Sequence, residues 1–171
     1  AAVVLTHRLG PRVFAYGFRL LGDRTEAEDV AQEAMLRLWK TAPDWRPGEA
    51  KTTTWLFRVV SNLCIDRKRR YRNRPVSLEV GADPPDGADS VDETLQQKAR
   101  SEALQAALLY LPDRQRQAVI LRNIEDLANP EIASIMGISV EAVESLTARG
   151  KRALSKILND QRDALGFEND R

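Results

Sequence analysis

The sequence predicts an all-α protein made of two small helical domains joined by a flexible acidic linker, with a helix-turn-helix in the C-terminal domain. Three observations carry that expectation. Apolar residues recur at helical spacing along the chain, and no long alternating run of β-branched and aromatic residues appears. Charge is unevenly spread: residues 1–72 hold 14 Lys/Arg against 8 Asp/Glu, residues 73–94 hold one against six, and residues 95–171 hold 11 against 11. Finally, "NPEIASIMGISVEAVESLTARG", residues 129–150, has the pattern of two short helices folded about a glycine. The boundaries that follow are 1–72, 73–94 and 95–171, and each domain is near the lower size limit for folding alone.

In the first domain, Gly10-Pro11 is expected to start a helix holding Val13, Phe14, Tyr16, Phe18, Leu20 and Leu21, which Gly22-Asp23 ends. The next helix begins near Thr25, where Thr25 and Glu28 have capping-box spacing. It keeps Ala27, Val30, Ala31, Ala34, Met35 and Leu38 on one face and reaches Lys40. "TAPDWRPGEAKTT" reads as a loop, and the following helix buries Trp55, Leu56, Val59, Val60, Leu63 and Cys64. The segment 73–94, rich in Pro, Gly, Ala and Asp, has neither helical nor strand periodicity and reads as a linker.

In the second domain, helices are expected from about Asp92 to Tyr110 and from Pro112 to Asn123. Asn129 then serves as an N-cap with Pro130 at the first helical position, Gly137 stops that helix, and Ser139 caps a last one running to about Leu158. A helix-turn-helix needs a small residue where its helices meet and a residue tolerant of left-handed geometry in its turn, and Ala133 and Gly137 occupy those places. It also needs apolar packing positions, which Ile132, Met136, Ile138, Val143 and Leu146 fill. A helical hairpin that binds no nucleic acid fits the same pattern.

Several function classes find no support. No apolar run approaches the roughly 18 residues of a membrane span, and the first ten residues lack a basic leader with a long apolar core. One cysteine, Cys64, and one histidine, His7, make neither a disulfide nor a zinc cluster, so a reducing cytoplasm is the expected compartment. The chain lacks a phosphate-binding loop, a GxGxxG motif and any nucleophile–base arrangement, which argues against an enzyme and against a metal or cofactor.

Three surfaces remain. Glu141, Glu144, Ser145, Ala148, Arg149, Lys151 and Arg152 form the outward face of the second helix of the motif, with Ser139 at its start. That face is weakly basic at best, so this domain would bind DNA poorly by itself and affinity must come from elsewhere. "RKRRYRNR", residues 67–74, places six basic residues in eight at the end of an amphipathic helix. A solvated helix end accounts for such a run. With Lys51, Thr52 and Thr53 before the helix and Arg58, Asn62 and Asp66 along its polar side, it also suits a single strand of DNA, whose base edges and faces are open. Trp45 and Trp55 are read as loop or core anchors. On the helix before, Asp29, Gln32, Glu33 and Leu36 share an outward face, either a solvated acidic stripe or a protein-docking patch with one apolar anchor.

In this order the pieces resemble the extracytoplasmic function (ECF) sigma factors of bacterial RNA polymerase, compact members that keep the second and fourth conserved regions. The second region is matched by "LLGDRTEAEDVAQEAMLRLW" and "TTTWLFRVVSNLCIDRKRR", the fourth by "ALLYLPDRQRQAVILRNIEDLANPEIASIMGISVEAVESL". The resemblance implies that Asp29, Gln32, Glu33 and Leu36 meet the polymerase clamp coiled coil. It implies that Lys51, Thr52, Thr53, Arg58, Asn62, Asp66, Arg69 and Arg70 capture the melted non-template strand of the downstream promoter element. Ser139, Glu141, Glu144, Ser145, Ala148, Arg149 and Arg152 would read the upstream element, and the acidic linker would thread toward the RNA exit channel. It further implies control by a cognate anti-sigma protein. In one place the chain departs from the family pattern: a basic residue, serine and arginine are usual early in the reading helix, where this sequence has Glu144, Ser145 and Leu146. The competing reading is a free-standing helix-turn-helix regulator that dimerises and binds DNA without polymerase.

Overall fold

The computed structural model describes residues 2–44, 51–73 and 95–164. Among these every regular element is helical: α1 (Ala2–Leu21), α2 (Arg24–Thr41), a 3-10 turn (Ala42–Asp44), α3 (Thr52–Arg72), α4 (Leu95–Leu109), α5 (Asp113–Val119), a π-helical turn (Ile120–Ile124), α6 (Asn129–Met136) and α7 (Val140–Ala164). The all-α expectation therefore holds for the described residues. Trp45, the linker beyond Asn73 and the expected helix start at Asp92 lie outside them. The elements group into two units, one holding α1, α2 and α3, the other α4, α5 and α7.

In the first unit the three helices pack pairwise around Val13, Tyr16, Leu20, Ala27, Val30, Ala34, Leu38, Leu56, Phe57 and Val60. Two expected helix starts are corrected. α1 does not begin at Gly10-Pro11 but runs through them from Ala2. Proline removes one helical N–H, and its ring crowds the Cβ of the preceding residue. Residue 10 has no Cβ, and no neighbouring atom stands where one would be. Packing on α2, with the Trp39 indole N–H donating to Thr6 Oγ1 at 3.2 Å, holds the segment before the proline. α2 is capped by Asp23 rather than Thr25: the Asp23 carboxylate accepts from the Glu26 N–H at 3.0 Å, with extended backbone at φ −123°, ψ 120°. Asp23 and Glu26 have the same spacing as Thr25 and Glu28, and aspartate is the stronger cap.

α3 begins at Thr52, so Thr52 and Thr53 belong to its first turn and not to the preceding loop, and Lys51 occupies the cap position. Its buried face includes Phe57 and Ser61, which periodicity did not single out, whereas Trp55 and Val59 are half-buried. Phe57 meets Tyr16 edge-on at 4.9 Å between ring centroids, and the Arg12 guanidinium lies 5.1 Å from the Phe57 centroid. Ser61 Oγ donates to the Phe57 carbonyl at 2.6 Å and therefore accepts from Tyr16 OH at 2.7 Å, which satisfies a polar pair inside an apolar core.

In the second unit, the helix expected to continue to Asn123 leaves α-geometry after Val119. Glu125 N–H reaches the Ile120 carbonyl at 3.0 Å in a wide turn, and Asp126 takes a positive φ of 56°. This geometry keeps Ile120, Leu121 and Leu127 buried together. The Ile132 N–H donates to the Ala128 carbonyl at 3.1 Å, so Ala128 holds the cap position of α6 and Asn129 lies in its first turn, against the expected cap. Gly137 takes the positive φ of 65° that the turn requires. Ser139 caps α7 as expected, its Oγ accepting from Ala142 N–H at 3.1 Å, and α7 extends past Leu158 to Ala164. Ile132 and Val143 are fully buried, while Met136, Ile138 and Leu146 are half-buried.

Candidate functional site

Three surfaces can be built from these elements. On α2, Asp29, Gln32 and Leu36 are exposed and Glu33 is half-buried. Residues three and four apart on a helix share a face, so the four form one stripe. Leu36 keeps 51% of its surface in solvent, and Trp39, one turn on, keeps 46%. Leu36 was expected on this face, and the exposure of Trp39 was not. The signal was present in the i, i+3 spacing, but a tryptophan beside an amphipathic stripe reads first as core. Glu33 accepts from Arg37 at 2.8 Å along the same helix.

On α3, Arg58, Asn62, Asp66, Arg69 and Arg70 are all exposed, and the spacing of the first four aligns them along one side. Lys51 is exposed just before that side begins, and Thr52 is half-buried. Thr53 shares the turn positions of Leu56, Phe57 and Val60, so the structure does not bring it onto the polar side. The face joins guanidiniums, an amide and a carboxylate. Such a set can hold phosphates while offering both donors and an acceptor to base edges.

A feature that sequence reasoning did not single out joins these two helices. Arg67, on α3, bonds the carboxylate of Glu26 on α2 and lies 3.8 Å from that of Asp29. The hydrogen bond to Glu26 raises the Arg67 pKa above its ordinary value, and the charges of Glu26, Asp29 and Glu33 add to the shift while burial opposes it.

On α7, Glu141, Glu144, Ser145, Ala148, Arg149 and Arg152 are exposed, as is Ser139. Their spacing again gives one face. Glu141 lies in the first turn, where a carboxylate complements the partial positive charge of the helix N-terminus. One of the two acids on this face thus has a structural reason to be there. Behind that face the helix is pressed close to α5: a Cβ at Gly150 would stand 2.4 Å from Val119 Cγ2 and 3.2 Å from the Gln115 carbonyl. The second unit is further tied by Arg116, whose Nε donates to the Leu108 carbonyl at 2.7 Å and whose Nη2 donates to Leu109 and Leu111 carbonyls at 2.7 and 2.8 Å. Among the described residues no group of three or more His, Cys, Asp or Glu could hold a metal ion, and no helix is long and apolar enough to cross a membrane.

Residues 5–74 match the Sigma-70 region 2 family, and residues 101–154 match Sigma-70, region 4. The ECF RNA polymerase sigma factor SigE of Mycolicibacterium smegmatis is 34% identical over 156 residues, which cover 90% of this chain and 60% of SigE. The ECF RNA polymerase sigma factor SigW of Bacillus subtilis is 32% identical over 159 residues, covering 87% of this chain and 84% of SigW. Among solved structures, the sigma factor RpoE in complex with the anti-sigma factor NepR from Bartonella quintana shares the fold with a TM-score of 0.71, at 23% identity over 90% of this chain and 94% of that one. With both regions matched in order and relatives above 30% identity across most of its length, this chain belongs to the ECF sigma factor family.

Proposed function

We propose that the protein is a transcription initiation factor that binds core RNA polymerase and directs it to particular promoters, making and breaking no covalent bond itself. Residues 1–72 act as region 2, 73–94 as the linker and 95–171 as region 4. Asp29, Gln32, Glu33 and Leu36 dock the polymerase. Lys51, Thr52, Arg58, Asn62, Asp66, Arg69 and Arg70 hold the melted strand, with Thr53 supporting the turn that presents them. Ser139, Glu141, Glu144, Ser145, Ala148, Arg149 and Arg152 meet the upstream element. Work on the bacterial chromosome places it in the cytoplasm. An anti-sigma protein is its expected inhibitor, as NepR is the partner of RpoE in the solved complex.

The observation that carries this reading is the segregation of charge onto separate exposed faces: acids on α2, cations on α3 and a mixed face on α7. A reading helix with two carboxylates supplies selection and leaves affinity to a larger partner. The test is a gel shift on promoter DNA with and without core polymerase. A shift only when core is added supports the proposal, and tight specific binding by the protein alone favours the free-standing regulator. Reversing the charges of Asp29 and Glu33 is expected to abolish core association; unchanged association would refute the docking assignment.

A further inference from the structure

The last two turns of α3 extend past the core. The buried side chains of the helix end at Cys64, and residues 69–73 are exposed. Below those turns lies a cleft of about 430 Å³, lined by Asp23 and Glu26 from the α2 side and by Arg67, Lys68 and Arg70 from α3. A helix end that overhangs a cleft is aimed by the side chains that cross the gap. Arg67 crosses it, bonding Glu26 and approaching Asp29 to 3.8 Å. A planar guanidinium presents several donors in a fixed fork and so can serve two carboxylates at once, which the point charge of a lysine does less well.

The bridge links two assigned surfaces. Asp29 belongs to the stripe on α2 proposed to dock polymerase, and Arg69 and Arg70, two and three residues beyond Arg67, belong to the face proposed to hold the strand. We propose that Arg67 is a positioning residue that, by clasping Glu26 and Asp29, sets the direction of the end of α3 relative to α2 and so places Arg69 and Arg70 on the strand of a polymerase-bound promoter. This inference rests on the sigma-factor reading. The clasp is partly exposed, with Arg67 at 26% and Glu26 at 46%. It therefore adds little to global stability and shows its effect in promoter opening.

The test is a double-mutant cycle read in reconstituted holoenzyme at saturating core, with Arg67→Gln, Glu26→Gln and the pair. The readouts are promoter melting, measured by permanganate oxidation of unpaired thymines, and core affinity, measured by fluorescence anisotropy. Each single substitution is expected to lower the melting equilibrium roughly fivefold, the worth of one partly exposed ion-pair cluster. The double variant should lower it no further, and core affinity should stay within about twofold. Additive losses, unaltered melting in either single variant, or a loss explained wholly by weaker core binding would overturn the proposal. Glu26→Gln changes only a half-exposed group and keeps the test valid if Arg67→Gln folds poorly. Wild-type protein that neither binds core nor opens promoters would instead defeat the underlying sigma-factor reading.

Discussion

Arg116 is 5% exposed, and its guanidinium donates to three backbone carbonyls at the end of α4 and the connection beyond, with Asp113 Oδ1 at 3.3 Å from Nη1. Burial lowers its pKa and Asp113 opposes the shift, yet a guanidinium keeps its proton at any working pH. Arg116→Met would leave those carbonyls without their donor and is expected to destabilise the second unit by about 3 kcal/mol. All three tryptophans precede residue 73. The loss should therefore appear in a urea titration followed by circular dichroism and not in one followed by tryptophan fluorescence. Cys64 is the corresponding buried group of the first unit, its thiol pushed from 9.0 up to about 12, mainly by burial. The folded state holds this proton more tightly than the unfolded chain. The stability it contributes is full below pH 9 and is lost as pH rises through 12. Native protein at pH 8 should resist iodoacetamide and react once unfolded in urea; fast native labelling would contradict the burial.

At the scale of the element, Asp23→Ala is expected to cost about 1 kcal/mol and Thr25→Ala much less, because the carboxylate of Asp23 meets the helix N–H. Comparing the two variants by thermal melting decides between the caps. The contrast shows which features were legible in the sequence. Local geometry was: the Gly137 turn and the Ser139 cap depend on residues within three positions of each other, and both form as expected. Choices between neighbouring caps were not, since Asp23 and Thr25 offer the same spacing and Asn129 sits one residue past the place where α6 takes its first bond. Nor were contacts between distant segments. Ser61 is placed inside by Tyr16, 45 residues away, and Arg67 is turned toward α2 by Glu26, 41 residues away. The clue to Arg67 was its place on the stripe of Val60, Leu63 and Cys64, but a run of cations hides which member faces inward. The exposed faces of α2, α3 and α7 were readable because helical period alone sorts inside from outside, although Glu33, Thr52 and Thr53 are half-buried.

For the whole molecule, a net charge of +1 conceals a division in which residues 1–72 carry all of the cationic excess. If polymerase supplies affinity, the acids of α7 act as filters against DNA that does not match. Glu144→Gln is then expected to raise non-specific DNA binding by the protein alone several-fold at low salt and to reduce discrimination between promoters in holoenzyme. Competition gel shifts against unrelated duplexes would measure both effects, and equal discrimination by wild type and variant would remove Glu144 from the reading face.

The close approach at Gly150 separates two duties along α7. One side, at 141, 144, 145 and 148, faces solvent and is available for exchange, and substitutions there should alter stability by about 0.5 kcal/mol or less. On the opposite side, at Gly150, even a methyl group would collide with Val119 and crowd the Gln115 carbonyl. If α7 meets the upstream element as proposed, promoter preference in this scaffold is modular: a library confined to the outer positions can be searched for new target sequences without rebuilding the support beneath them.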